Sequence, residues 1–151
     1  MKNISIIGSG SWGSALGIHL AHLGNNVKIW SYSQEEADLI NNEKKCKFLP
    51  LATIPDGVVC TTDFKTAIEG TEMLLIVTPS KFVRETIQKF KQYVTDQEII
   101  ICSKGFEKDT LSGKGGGIEY TQNPGEYNGM YVEAQLNRLV QNMKQYYDAG
   151  Y

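Results

Sequence analysis

Residues 4–13 read Ile4-Ser5-Ile6-Ile7-Gly8-Ser9-Gly10-Ser11-Trp12-Gly13, an apolar run that breaks into a glycine-rich turn. From Ser11 to Leu23 the leucines at 16, 20 and 23 fall at helical spacing, so the turn joins a strand to a helix. Gly24-Asn25-Asn26 stops that helix, and Val27-Lys28-Ile29-Trp30 is a second β-prone run. Gly8, Gly10 and Gly13 fit the pattern GxGxxG, which is weak alone and gains meaning inside a strand-helix-strand unit of about 30 residues. In that setting Gly8 permits the tight turn, Gly10 lets the backbone approach a pyrophosphate, and Gly13 lets the helix pack closely on the strand. The free N–H groups and positive end of the helix then face the anion. The alternative is a glycine-rich turn that holds no ligand.

Strand and helix keep alternating beyond this unit. A second helix is predicted over Gln34 to Asn41, followed by a loop from Asn42 to Gly57 broken by Pro50 and Pro55. Val58-Val59-Cys60-Thr61 is a third strand, and Asp63 is placed to cap a short helix that ends at Gly70. Met73 to Val77 is apolar without alternation, as a strand covered on both faces should be. Ser80 to Tyr93 returns to a helical pattern with Phe82, Val83, Ile87 and Phe90 on one side, and Ser80 is a candidate cap. Ile99-Ile100-Ile101-Cys102 completes five strands. Right-handed crossovers then imply an α/β fold, a Rossmann-type doubly wound parallel sheet.

Composition narrows the setting. The chain has 151 residues and a formal net charge of −2, with basic residues dispersed except for Lys44, Lys45 and Lys47, so no basic footprint for nucleic acid is present. Its longest apolar run, Met73–Val77, is too short to span a membrane, and the N-terminus does not read as a secretory signal. Cys46, Cys60 and Cys102 are odd in number and widely spaced, which argues against a disulfide framework and a zinc site and favours a reducing, cytoplasmic setting. His19 and His22 share a helix face but lack a third metal ligand. Gly113-Lys114 fails the phosphate-loop pattern at two positions, Lys108 and Gly115.

The second strand bears on the choice of dinucleotide. A carboxylate at its end would bind the ribose 2′-hydroxyl. The residues there are Trp30-Ser31-Tyr32-Ser33, with neither a carboxylate to repel a 2′-phosphate nor an arginine to hold one. NAD and NADP are both admissible, and Trp30 and Tyr32 read equally well as packing at a strand end.

Four segments, in order, carry a family resemblance: Gly8-Ser9-Gly10-Ser11-Trp12-Gly13-Ser14-Ala15-Leu16, Phe48-Leu49-Pro50, Val77-Thr78-Pro79-Ser80 and Cys102-Ser103-Lys104-Gly105-Phe106-Glu107. Over residues 1 to 112 the chain resembles bacterial NAD(P)-dependent sn-glycerol-3-phosphate dehydrogenase. The resemblance implies hydride transfer between a nicotinamide and C2 of glycerol 3-phosphate, interconverting it with dihydroxyacetone phosphate for phospholipid synthesis. It also implies cofactor contacts at Ser11, Trp12, Tyr32 and Ser33, although Tyr32 and Ser33 depart from the basic or imidazole residues usual there. Lys104 matches a family lysine at the cofactor and substrate phosphate, and a lysine just past a strand's carboxyl end suits that place. Pro79 ends the fourth strand and shapes the loop on the nicotinamide side.

The resemblance stops near Leu111. The family's complete enzyme is longer, with a catalytic lysine and most substrate contacts in a second, all-helical domain that finds no counterpart here. Residues 113–151 instead hold seven of the 15 glycines and six of the eight tyrosines, a shift that divides the chain in two. Residues 113–129 read as a glycine-rich linker with turns, and residues 130–149 as an amphipathic C-terminal helix with Val132, Leu136, Leu139, Val140, Met143 and Tyr147 on one stripe. Such a helix needs a surface for its apolar face: its own domain, a second copy in a homo-oligomer, or another protein. Two functions follow as expectations. One is the dinucleotide-binding portion of a glycerol-3-phosphate dehydrogenase, inactive alone for want of a general acid. The other is a non-catalytic dinucleotide-binding module that self-associates through the helix.

Overall fold

The computed structural model of the chain describes residues 1–103, 105–106 and 113–114. Five parallel strands form one sheet in the order β3-β2-β1-β4-β5. They are β1 (Asn3–Ile7), β2 (Asn26–Trp30), β3 (Val58–Thr61), β4 (Met73–Ile76) and β5 (Glu98–Ile101). Between them run α1 (Ser11–His22), α2 (Gln34–Glu43), α3 (Phe64–Ile68) and α4 (Ser80–Phe90). The expected doubly wound parallel sheet is therefore present. Gly105–Phe106 (β6) pairs antiparallel with Gly113–Lys114 (β7), so two residues of the expected linker sit in a ladder. Lys104 and the expected C-terminal helix over 130–149 lie outside the described residues.

Strand alternation divides the core. Ile4 and Ile6 of β1, Val27 and Ile29 of β2, and Leu75 of β4 face one side, where Leu16 and Leu20 of α1 and Ala37 and Ile40 of α2 cover them. Ile7, Leu74, Ile76 and Ile101 face the other side, against Ile68 of α3 and Val83 and Phe90 of α4. Both faces bury apolar side chains, which explains why β4 reads as an unbroken apolar run. Edge strand β3 is tied down by Asn41 of α2, whose side-chain amide donates to Cys60 O and accepts from Cys60 N, both at 2.8 Å. Burial pushes the Cys60 thiol up to about 12, so it stays protonated at neutral pH.

Several boundaries differ from the sequence reading, each for a local reason. Helix α2 runs on to Glu43 because Lys44, with φ 55°, takes the left-handed capping position. Leu23 is the C-cap of α1 and is exposed, so only Leu16 and Leu20 bury. Phe82 lies in the first turn of α4, off the buried face, and is 45% exposed. Pro79, in place of Ser80, is the N-cap of that helix.

Asp63 caps α3 as expected, accepting from Thr66 Oγ1 at 2.6 Å and from Thr66 N at 2.7 Å. These bonds, the hydroxyl's first, hold its carboxyl below the ordinary 3.8. A depressed folded-state pKa contributes stability that is present above the unfolded value and lost as pH falls through the folded one. Asp63→Ala should therefore lower the melting temperature at pH 7, with the gap to the parent closing once pH drops below 3.8. Melting curves across that range check this, and a gap that persists unchanged into acid would contradict it.

Candidate cofactor site at the switch point of the sheet

From β1 the chain winds outward through β2 and β3, and from β4 it winds the other way to β5. The loops leaving the carboxyl ends of β1 and β4 therefore diverge and open a crevice, where ligands of such sheets bind. Here it is a cleft of about 1190 Å³ bordered by the glycine loop, Thr78-Pro79 after β4, and Cys102-Ser103 after β5. Phe48 and Phe82, both about half exposed, add apolar rim.

The three glycines divide the work as their spacing predicts. Gly8 has φ 130°, a conformation open to glycine, and a Cβ there would lie 3.0 Å from Val77 O. At Gly13 a Cβ would lie 2.0 Å from Gly8 O, so the absent side chain is what lets α1 sit on the loop. Gly10 differs: its Cβ would meet no described atom within 4 Å, because that side faces the open crevice.

Above Gly10 the first helical bond of α1 runs from Ser14 N to Gly10 O at 2.9 Å. That leaves the N–H groups of Ser11, Trp12 and Gly13 ahead of the helical ladder, with no side-chain cap and no acidic residue in the first turn. The positive end of the helix thus faces the crevice without an acidic side chain of its own first turn. On the opposite wall Thr78 Oγ1 is buried without a hydrogen-bond partner among the described residues. A buried hydroxyl in that state costs free energy unless something meets it, and a ligand in the crevice would. Ser103 Oγ, by contrast, is satisfied by Thr78 O and Ile76 O, which pins the exit of β5 to that of β4. Burial raises the neighbouring Cys102 thiol to about 11, so it is no nucleophile at neutral pH. Lys89, the cation among the described residues lining the crevice, is paired with Glu85 at 2.6 Å.

Gly8, Gly10, Ser11, Trp12, Gly13, Tyr32 and Pro79 all border the cleft. Tyr32 is 90% exposed at its rim, whereas Trp30 stacks on Phe64 at 4.1 Å and donates its indole N–H to Thr62 O. Ser33 does not line the cleft; its hydroxyl accepts from Glu36 N at the start of α2. Glu36 and Thr78 are crevice residues that the sequence reading did not assign to the site. The Glu36 carboxylate borders the cleft and accepts hydrogen bonds from Ser9 and Ser31. The signal that could have found it is Ser33-Gln34-Glu35-Glu36, a capping-box pattern that places a glutamate in the first turn beside the strand end.

A doubly wound parallel sheet, a glycine loop under an open helix N-terminus and a crevice at the switch point together define a dinucleotide-binding domain of the Rossmann class. Residues 3–114 match the family described as NAD-dependent glycerol-3-phosphate dehydrogenase N-terminus, and the chain belongs to that family. It is 37% identical over 113 residues to a glycerol-3-phosphate dehydrogenase [NAD(P)+] of Agathobacter rectalis, covering 74% of this chain and 34% of the relative. It is 40% identical over 114 residues to the corresponding protein of Fusobacterium nucleatum, with the same coverage of both chains. The crystal structure of glycerol-3-phosphate dehydrogenase from Coxiella burnetii superposes with a TM-score of 0.67 at 34% identity, over 71% of this chain and 34% of that one. The chain thus spans about a third of the length of the relatives it matches. No helix among the described residues is long and apolar enough to cross a membrane.

Proposed function

We propose that this chain is the NAD(P)-binding part of a glycerol-3-phosphate dehydrogenase, which interconverts sn-glycerol 3-phosphate and dihydroxyacetone phosphate as a source of glycerophospholipid precursor. The carrying observation is that Gly10 opens onto the crevice directly before the uncapped N-terminus of α1. The pyrophosphate would rest there, on the N–H groups of Ser11, Trp12 and Gly13. The adenosine end would extend toward Tyr32 at the rim, and the nicotinamide end toward Thr78 and Pro79. Lys104 is assigned to the phosphates of cofactor and substrate, in keeping with its place just after β5 and the family resemblance.

The bound dinucleotide supplies the hydride. The chain's own described residues bind and orient it, but none is suited to move the proton on the C2 oxygen. Cys102 is held protonated by burial, Lys89 is engaged by Glu85, and Glu36 is bonded to two serines on the glycine-loop side. Binding without matching stabilisation of the transition state gives little turnover. NADH oxidation by this chain with dihydroxyacetone phosphate should therefore stay near background. A turnover number within the ordinary enzyme range, about 1–1000 per second, would contradict this.

A further inference from the structure

We propose that Glu36, reaching in from α2, supplies the ribose-binding carboxylate that the end of β2 lacks, and so makes this crevice select NAD over NADP. The inference rests on the dinucleotide-binding reading above.

In a dinucleotide-binding unit the acidic residue that takes the ribose hydroxyls ordinarily stands at the end of the second strand. That position here is Ser31, directly after Trp30, with its side chain fully buried. Ser31 Oγ donates to Glu36 Oε2 at 3.1 Å, and Ser9 Oγ, from the middle of the glycine motif, donates to the same oxygen. The two hydroxyls are themselves 2.8 Å apart. A carboxylate is thus held against both the glycine loop and the strand end, where a strand-borne acid would act.

The local geometry shows why it goes there. Ser33 is the N-cap of α2 and Glu36 the third helical residue, so in an ordinary capping box the glutamate would fold back onto the Ser33 N–H. That N–H is already taken by Ser31 Oγ at 3.1 Å, while Ser33 Oγ accepts from Glu36 N. With its usual local partner satisfied, the Glu36 side chain extends into the crevice. Both serine bonds land on Oε2, and Oε1 accepts no hydrogen bond from a described residue. A free carboxylate oxygen beside the glycine loop can accept from ribose hydroxyls and repels a 2′-phosphate by like charge. Among the described lining residues no free cation offsets it, since Lys89 is paired with Glu85.

Calorimetric titration of the full chain and of Glu36→Gln with NADH, NADPH, ADP-ribose and 2′-phospho-ADP-ribose tests this. Glutamine keeps the length and an accepting oxygen for both serines, and a melting curve verifies that the variant is folded. The parent should favour NADH over NADPH by about tenfold or more, and the variant should lose most of that ratio through weaker NADH and stronger NADPH binding. The ADP-ribose pair should show the same change, because the discrimination lies in the adenosine half. An unchanged ratio in a folded variant, or a parent that prefers NADPH, would overturn the assignment of Glu36 while leaving dinucleotide binding intact. Binding of none of the four ligands by the folded parent would instead overturn the dinucleotide-binding reading, and this inference with it.

Discussion

Gly13→Ala should both destabilise the chain and abolish dinucleotide binding. The added Cβ would stand 2.0 Å from Gly8 O and 3.0 Å from Gly8 C, which are backbone atoms that cannot swing aside. Relief requires α1 to lift from the loop. Leu16 and Leu20 would then separate from the β1 and β2 side chains they cover, and Ser14 would lose its bond to Ser9 O. Overpacking typically costs about 1–3 kcal/mol, and a clash with rigid backbone belongs at or above the top of that range. The N–H groups of Ser11 and Trp12 would also shift away from the anion they are placed to hold. Urea denaturation and an NADH titration read the two effects, and a variant with the parent's midpoint and affinity would contradict the packing described for α1.

Phe90→Ala should be comparably severe for a different reason. Phe90 is 1% exposed, the largest fully buried side chain among the described residues, and lies where α3 and α4 meet the sheet. Its ring is 5.7 Å from Phe64, which in turn stacks on Trp30. Truncation leaves a cavity that rigid strands cannot fill, a change that costs about 3–5 kcal/mol. That is a large part of the roughly 5–15 kcal/mol available to a typical domain. Phe82, eight residues earlier on the same helix and 45% exposed, is the control: Phe82→Ala should shift stability by no more than about 0.5 kcal/mol. Equal losses at both positions would show that α4 does not present the face assigned to it.

The contrast between Phe82 and Phe90 marks what the sequence can convey. Helical spacing groups the two rings, but the first turn of α4 borders the crevice, and only the sheet's topology places a crevice there. The strands were legible because a parallel sheet covered on both faces demands largely apolar runs, and Met73–Val77 and, broken only by Ser5, Ile4–Ile7 supply them. The glycine loop was legible because each of its glycines answers a separate steric demand along a short stretch of chain. Glu36 was not. The rule for the ribose carboxylate reads a position along the chain, whereas here the carboxylate is delivered through space, from a helix turn whose local hydrogen bonds release it. Thr78 was missed as a site residue for a similar reason, since its unmet hydroxyl is a property of its surroundings rather than its residue type.

The most direct test of the account is a calorimetric titration of NADH into the chain and into Gly10→Val. A Cβ at position 10 meets no described atom within 4 Å and Gly10 has an ordinary φ of −63°, so this variant should fold as the parent does, with at most the modest cost of valine at a helix N-cap, and differ chiefly in the crevice. The parent should give saturable, single-site heat and Gly10→Val none. A folded parent that shows no saturation, or a Gly10→Val chain that binds as the parent does, would contradict the claim that this glycine loop holds a dinucleotide.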